Sequence, residues 1–158
     1  MITLHVNKLV STAILPKKAH ISNIFEDAAF DLFSDHQTSD SLVIQPNSRI
    51  LVPTGIRVII PSGYWVKFHD RSGNATKYGV HVLGGIIDNT YTGEWKVILQ
   101  NSSDDLVILD SSKAIAQFTI EKLTPCIISE TSYTFFESYI DSRTRKENGF
   151  GSTDETTK

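Results

Sequence analysis

The chain has 158 residues, 40% of them hydrophobic and 21% charged, with a net charge of −3. That suffices for one domain around a single core, and the acidic balance excludes a surface built for stable nucleic-acid binding; any phosphate must be held locally, by a few Arg, Lys and backbone N–H groups. The single cysteine, Cys126, excludes an internal disulfide and a zinc cluster, which fits a reducing cytoplasm, and its neighbours Ile127 and Ile128 point to a buried thiol.

No apolar run approaches the ~18 residues of a membrane span, and no apolar core follows Lys8, Lys17 and Lys18 as a secretory signal would require. The histidines (His5, His20, His36, His69, His81) show no metal-ligand spacing.

In chain order, Ile2, Leu4 and Val6 alternate with polar residues at strand period. Ala28-Ala29-Phe30-Asp31-Leu32 sets two small residues ahead of an acid. This is either a strand end with a solvated carboxylate or a place where another element approaches closely. Leu42-Val43-Ile44, Arg49 to Val52, Ile56 to Ile60 and Tyr64 to Phe68 are short strands, separated by Pro46-Asn47, Pro53-Thr54-Gly55 and Pro61-Ser62-Gly63. Such turn chemistry at this spacing predicts a β-meander within an all-β sandwich or barrel. No sustained helical stripe interrupts it.

Asp70-Arg71-Ser72-Gly73-Asn74-Ala75 breaks the strand pattern. It is an ordinary loop or an anion grip in which a guanidinium, a hydroxyl and an unobstructed N–H converge. Ala75 to Tyr78 fits one helical turn closed by Gly79. Val82 to Lys96 then reads as a β-hairpin with a Thr-Gly turn, its second strand starting at Trp95. Asp88 and Tyr91 stand at its tip, in either an Asx-type turn or a pocket.

Val97-Ile98-Leu99, Leu106 to Leu109 and Ala114 to Ile120 are further strands, and Gln117 stands among apolar neighbours in the last. Tyr133, Phe135, Phe136 and Tyr139 cluster in a less regular stretch that could pack over a neighbouring subunit. The end, Arg145 to Thr153, contains Gly149-Phe150-Gly151-Ser152-Thr153. It is a disordered terminus or a lid, because its glycines hold no fixed conformation alone. Seven of the nine glycines (Gly73, Gly79, Gly84, Gly85, Gly93, Gly149, Gly151) lie in or beside these stretches, which favours close approach of backbone to a ligand.

Five stretches taken together resemble the ordered motifs of the trimeric deoxyuridine triphosphate nucleotidohydrolases (dUTPases). They are Ala28 to Leu32, Arg71 to Ala75, Gly85 to Gly93, Ile115 to Phe118 and Arg145 to Thr153. The sequence departs from the family pattern at Ala29, Val82, Ser112, Ala114, Lys146 and Asn148.

The resemblance implies a jelly-roll-like distorted β-barrel over residues 1–142, a flexible C-terminal arm over 143–158, and a homotrimer with shared sites. One chain would supply Arg71 and Gln117, a second Asp88, and the third the Phe150 arm. The implied reaction is hydrolysis of dUTP to dUMP and pyrophosphate with Mg²⁺, which limits uracil in DNA and supplies dUMP for dTMP. Asp88 would be the general base, and Tyr91 would pack under the deoxyribose. Val82, Leu83, Gly85, Ile86, Ile87 and Lys96 would surround the uracil. Arg71, Ser72, Gly73, Gln117 and Arg145 would hold the phosphates, Phe150, Gly151, Ser152 and Thr153 would close over them, and Asp31 would meet the metal through water. The alternatives are a dCTP deaminase of the same fold, whose essential Glu is Gln100 here, and a non-catalytic β module that senses nucleotides or binds protein.

Overall fold

A computed structural model describes residues 1–20, 25–35 and 41–140. The strands are β1 (His5–Lys8), β2 (Phe30–Phe33), β3 (Ser41–Ile44), β4 (Arg49–Pro53), β5 (Ile56–Ile59) and β6 (Tyr64–His69). After helix α1 (Ser72–Tyr78) come β7 (Val80–Leu83), β8 (Ile86–Ile87), β9 (Lys96–Asn101), β10 (Val107–Asp110) and β11 (Ala114–Lys122), then helix α2 (Tyr133–Ile140).

The strands fall where short β-branched runs are bounded by Pro and Gly turns, and the fold is all-β as expected. The meander is not observed. β1 pairs with β5, β3 with β10, and β4 with β9, so no two consecutive strands among β3 to β6 are neighbours. The sheets are β1-β5, β10-β3, β2-β11-β6-β8 and β4-β9-β7, a jelly-roll-like crossing of the chain without one closed ladder among the described residues. Inward and outward residues alternate clearly along β5, β9 and β10, which fixes register but not the choice of partner; that choice follows from burial across the whole core.

The expected hairpin is also corrected. β7 pairs with β9, but β8 leaves that sheet and pairs with β6. Trp95 is not a strand residue. Its ring is fully buried, edge-on to Phe118 at 5.3 Å and to Phe68 at 5.4 Å. Its N–H donates to Ile56 O at 2.9 Å, and its carbonyl accepts from Thr54 Oγ1 at 2.6 Å. The long connection carrying Asp88 is thus anchored in the core at its far end. At its near end Gly85 has φ +89°, and a Cβ there would meet Phe68 Cβ at 2.9 Å. Only glycine lets this crossing lie on β6.

The chain divides into two compact units, Met1–Thr124 and Pro125–Lys158. In the second, α2 is a helix that strand periodicity did not suggest. Ser132 Oγ accepts the Phe135 N–H at its start, and Tyr133, Phe135, Phe136 and Tyr139 are exposed along it. Cys126 is exposed, not buried, as are Ile127 and Ile128. They lie in a segment without regular structure, which has no sheet face to press them into a core. No helix among the described residues is long and apolar enough to cross a membrane.

Candidate active site

In β11 the small and aromatic residues Ala114, Ala116 and Phe118 face the core, so alternation turns Gln117 to the other face. Register then places Gln117 opposite Asp31 on β2 and opposite His69 on β6. The backbone of Asp31 is held on its other side by a bridge to Lys17. Past His69 the chain leaves the sheet through Asp70 and enters α1 with Arg71 as its N-cap residue. Three strands therefore bring the first, second and fourth motif stretches together.

The contacts follow from this arrangement. Arg71 Nε lies 3.2 Å from Asp31 Oδ1, and its Nη1 reaches Ala114 O at 3.4 Å. Gln117 Nε2 donates to Asp70 O at 2.8 Å. The pairing of β11 with β2 shifts register between Ala114 and Ala116. The carbonyls of Ala114 and Ile115 accept Asn74 Nδ2 at 3.4 and 3.3 Å. This irregularity thus docks α1, and bulges commonly re-aim groups next to sites. The first N–H groups of α1, from Ser72 and Gly73, have no carbonyl four residues back to bond, which suits them to an anion. Gly79 closes the helix with φ 64°. The anticipated helical turn is present and starts earlier, at Ser72.

Asp31, His69, Asp70, Arg71 and Gln117 line a cavity of about 770 Å³ with Ala28, Ala29, Asp27, Lys67 and Val82. Its polar wall includes Asp27, whose carboxyl is held below its ordinary value by the His20 N–H and then by the His20 ring.

Asp88 and Tyr91 are elsewhere. With Ile86, Ile87, Glu94 and Lys96 they line a smaller cleft of about 200 Å³, and it shares no lining residue with the first. The Tyr91 N–H donates to Asp88 O at 3.1 Å, closing a turn. Tyr91 OH donates to Glu94 O at 2.9 Å, which lays the ring across Gly93. A Cβ on Gly93 would meet Tyr91 OH at 2.6 Å. Glu94 holds the loop through Gly55 N–H at 3.0 Å and faces Lys96 Nζ at 3.5 Å. In the glycine turn before β8, Gly84 O accepts Lys67 Nζ at 2.9 Å and Gly85 O accepts the Phe68 N–H at 2.8 Å.

Arg71, Gln117 and Asp31 are thus gathered around one cavity, and Ile86, Ile87, Asp88, Tyr91 and Lys96 around the other cleft; Ser72 and Gly73 follow Arg71 at the exposed start of α1 and do not line the cavity. Val82 and Leu83 end β7 and lead through Gly85 from one to the other. Arg145, Phe150, Gly151, Ser152 and Thr153 lie outside the described residues. Asp70, His81, Asn74 and Glu94 were not singled out from sequence as site residues. Asp70 was visible only as the start of the break after β6, because its partners stand 11 and 47 residues away.

A family model described as dUTPase matches residues 17–154. The chain is 37% identical to a deoxyuridine 5'-triphosphate nucleotidohydrolase of Hydrogenobaculum sp. (strain Y04AAS1), over 86% of this chain and 97% of that one. Its fold is similar to the Staphylococcus bacteriophage 80alpha dUTPase with dUPNHPP, at a TM-score of 0.78 and 25% identity, covering 95% of this chain and 97% of that one. It is also similar to a mutant dUTPase from phage phi11 of S. aureus that coordinates a structural Mg(II) ion, at a TM-score of 0.69 and 21% identity, covering 82% and 96%.

Proposed function

The chain belongs to the dUTPase family, and from that premise we propose how its residues divide the hydrolysis of dUTP to dUMP and pyrophosphate. One observation carries the division: on a single chain Arg71 and Gln117 line one hollow and Asp88 another. The reading that fits both is a homotrimer in which the Arg71–Gln117 cavity of one copy meets the Asp88 cleft of a second. The arm over residues 143–158 of the third, with Arg145, Phe150, Gly151, Ser152 and Thr153, closes over the phosphates. The exposure of Asp88 and Tyr91 on one chain supports this, because a hydrolytic centre gains from exclusion of bulk water.

Asp88 takes a proton from a water as its oxygen bonds to the α-phosphorus. The bond from that phosphorus to the bridging oxygen breaks, and pyrophosphate leaves. Tyr91, pinned across Gly93, packs under the deoxyribose and leaves no room for a 2′-hydroxyl. Backbone groups from Val82 to Ile87, with Lys96, read the uracil edge. Cytosine reverses donor and acceptor there, and each unpaired buried group costs ~1–3 kcal/mol. Arg71, the Ser72 hydroxyl and the first N–H groups of α1 hold the phosphates. A Cβ on Gly73 would touch nothing within 4 Å in the free chain. The fold itself thus leaves room for a side chain at this position.

Among the described residues no group of three or more His, Cys, Asp or Glu could hold a metal ion. Mg²⁺ would be carried by the triphosphate, where it would neutralise charge on the phosphates. Asp31 would accept a metal-bound water. We place the reaction in the cytoplasm, where a reduced Cys126 is stable.

The test is pyrophosphate release from dUTP, UTP, dCTP and dTTP with Mg²⁺. The proposal expects turnover of dUTP alone. In Asp88→Asn, turnover falls roughly 10²–10⁴-fold while a non-hydrolysable dUTP analogue still binds. Unchanged turnover in that variant would remove Asp88 from the base role.

A further inference from the structure

Asp70 has three simultaneous partners on two other strands. Its Oδ2 accepts His81 Nδ1 at 2.8 Å, its Oδ1 accepts the Val82 N–H, and its carbonyl accepts Gln117 Nε2 at 2.8 Å. It directly precedes Arg71, and its side chain reaches β7 two residues before the glycine turn at Gly84. Resting on the function proposed above, we infer that Asp70 is a positioning residue for the dUTP reaction, one that registers the phosphate grip of Arg71 to Gly73 against the base-reading strand end at Val82 and Leu83.

The carboxylate joins these two segments directly. The main chain between them runs through α1 and the Gly79 cap, where small rotations accumulate. An acceptor on the Val82 N–H fixes the height of β7 relative to Arg71, and the second oxygen on His81 fixes the rotation of the carboxylate itself. Charge assistance shortens and directs such bonds. A fold-stabilising role is the weaker account. The side chains of Asp70 and His81 are 37% and 44% exposed, and ion pairs that open to water contribute little to stability. Because the proposed sites are shared between copies, Asp70 ties the phosphate grip of one site to the base reader of the next.

The experiment compares Asp70→Ala and Asp70→Asn in the full-length protein, measuring KM and kcat for dUTP and the ratio of kcat/KM for dUTP over dCTP. Asp70→Ala should raise KM about tenfold, lower the ratio by a similar factor and change kcat by less than about threefold, as expected when ground-state alignment is lost. Asp70→Asn keeps an acceptor for the Val82 N–H and offers an amide to His81, and it should restore both quantities to within about threefold of wild type. A merely structural role would lower the melting temperature and the active fraction while leaving KM and the ratio untouched; that result overturns the inference. If Asp70→Ala does not fold, His81→Phe at a half-buried position carries the test: raised KM and reduced selectivity support the inference, and wild-type values overturn it. A wild-type protein that does not hydrolyse dUTP overturns the functional reading and this one together. Unchanged values in the variants beside an active wild type overturn this one alone.

Discussion

Gln117 fixes the start of the Arg71 segment without touching Arg71 itself: its side-chain amide donates to the main-chain carbonyl of Asp70 at 2.8 Å. A central strand of the four-stranded sheet thereby sets where the proposed phosphate grip begins. Gln117→Leu removes the donor and leaves a partly buried carbonyl without it, a loss of ~1–3 kcal/mol, or roughly 5–150-fold in kcat/KM. The loss should fall mainly on KM, measured by pyrophosphate release at varied dUTP. An unchanged KM would detach Gln117 from the grip.

Two glycines should respond in opposite ways. Gly85→Ala must place a Cβ 2.9 Å from Phe68 Cβ at a φ of +89°. Strain in such backbone regions is of order 1–3 kcal/mol, and the overlap adds to it. The midpoint of urea unfolding should fall markedly. Gly73→Ala meets open space at the exposed start of α1. Its unfolding midpoint should hold or rise, by up to about 1 kcal/mol, because alanine suits a helix better. Its KM for dUTP should nevertheless rise, because the new methyl stands in the proposed phosphate grip. Paired denaturation and kinetic measurements separate the two cases.

Sugar selection should be sensitive to a residue that touches no nucleotide. Gly93→Ala would push a methyl into the Tyr91 hydroxyl and ring, at 2.6 and 2.7 Å, and so displace the ring from its bond to Glu94 O. The ratio of kcat/KM for dUTP over UTP should drop about tenfold or more, through lost exclusion of the 2′-hydroxyl. An unchanged ratio would show that Tyr91 does not police the sugar.

Much of this was legible from local chemistry. Gly79 announced the end of α1, and Pro and Gly turns bounded β3 to β6, because caps and turns are decided within a few residues. Partner choice was not legible. β4 pairs with β9 and β6 with β11 across long sequence separations, and a meander satisfies the same local pattern. Trp95 looked like the start of a strand because bulky aromatics suit strands, yet its ring belongs to the core and its main chain to the turn at Thr54 and Ile56. The acids and amides of the motifs were visible as residue types. The join from Asp70 to His81, Val82 and Gln117 was not, since an aspartate beside an arginine in a loop has many ordinary uses.

The central claim is that each active site takes Arg71 from one copy and Asp88 from another, and subunit complementation tests it most directly. Arg71→Ala and Asp88→Asn proteins, each inactive alone, are mixed in equal amounts under conditions that exchange subunits, and pyrophosphate release from dUTP is measured. Random trimers should regain about one quarter of wild-type activity, because about three quarters of them are mixed and one of the three sites in each mixed trimer is intact. Activity no greater than that of the two parents would place Arg71 and Asp88 of the same chain in one site and contradict the account.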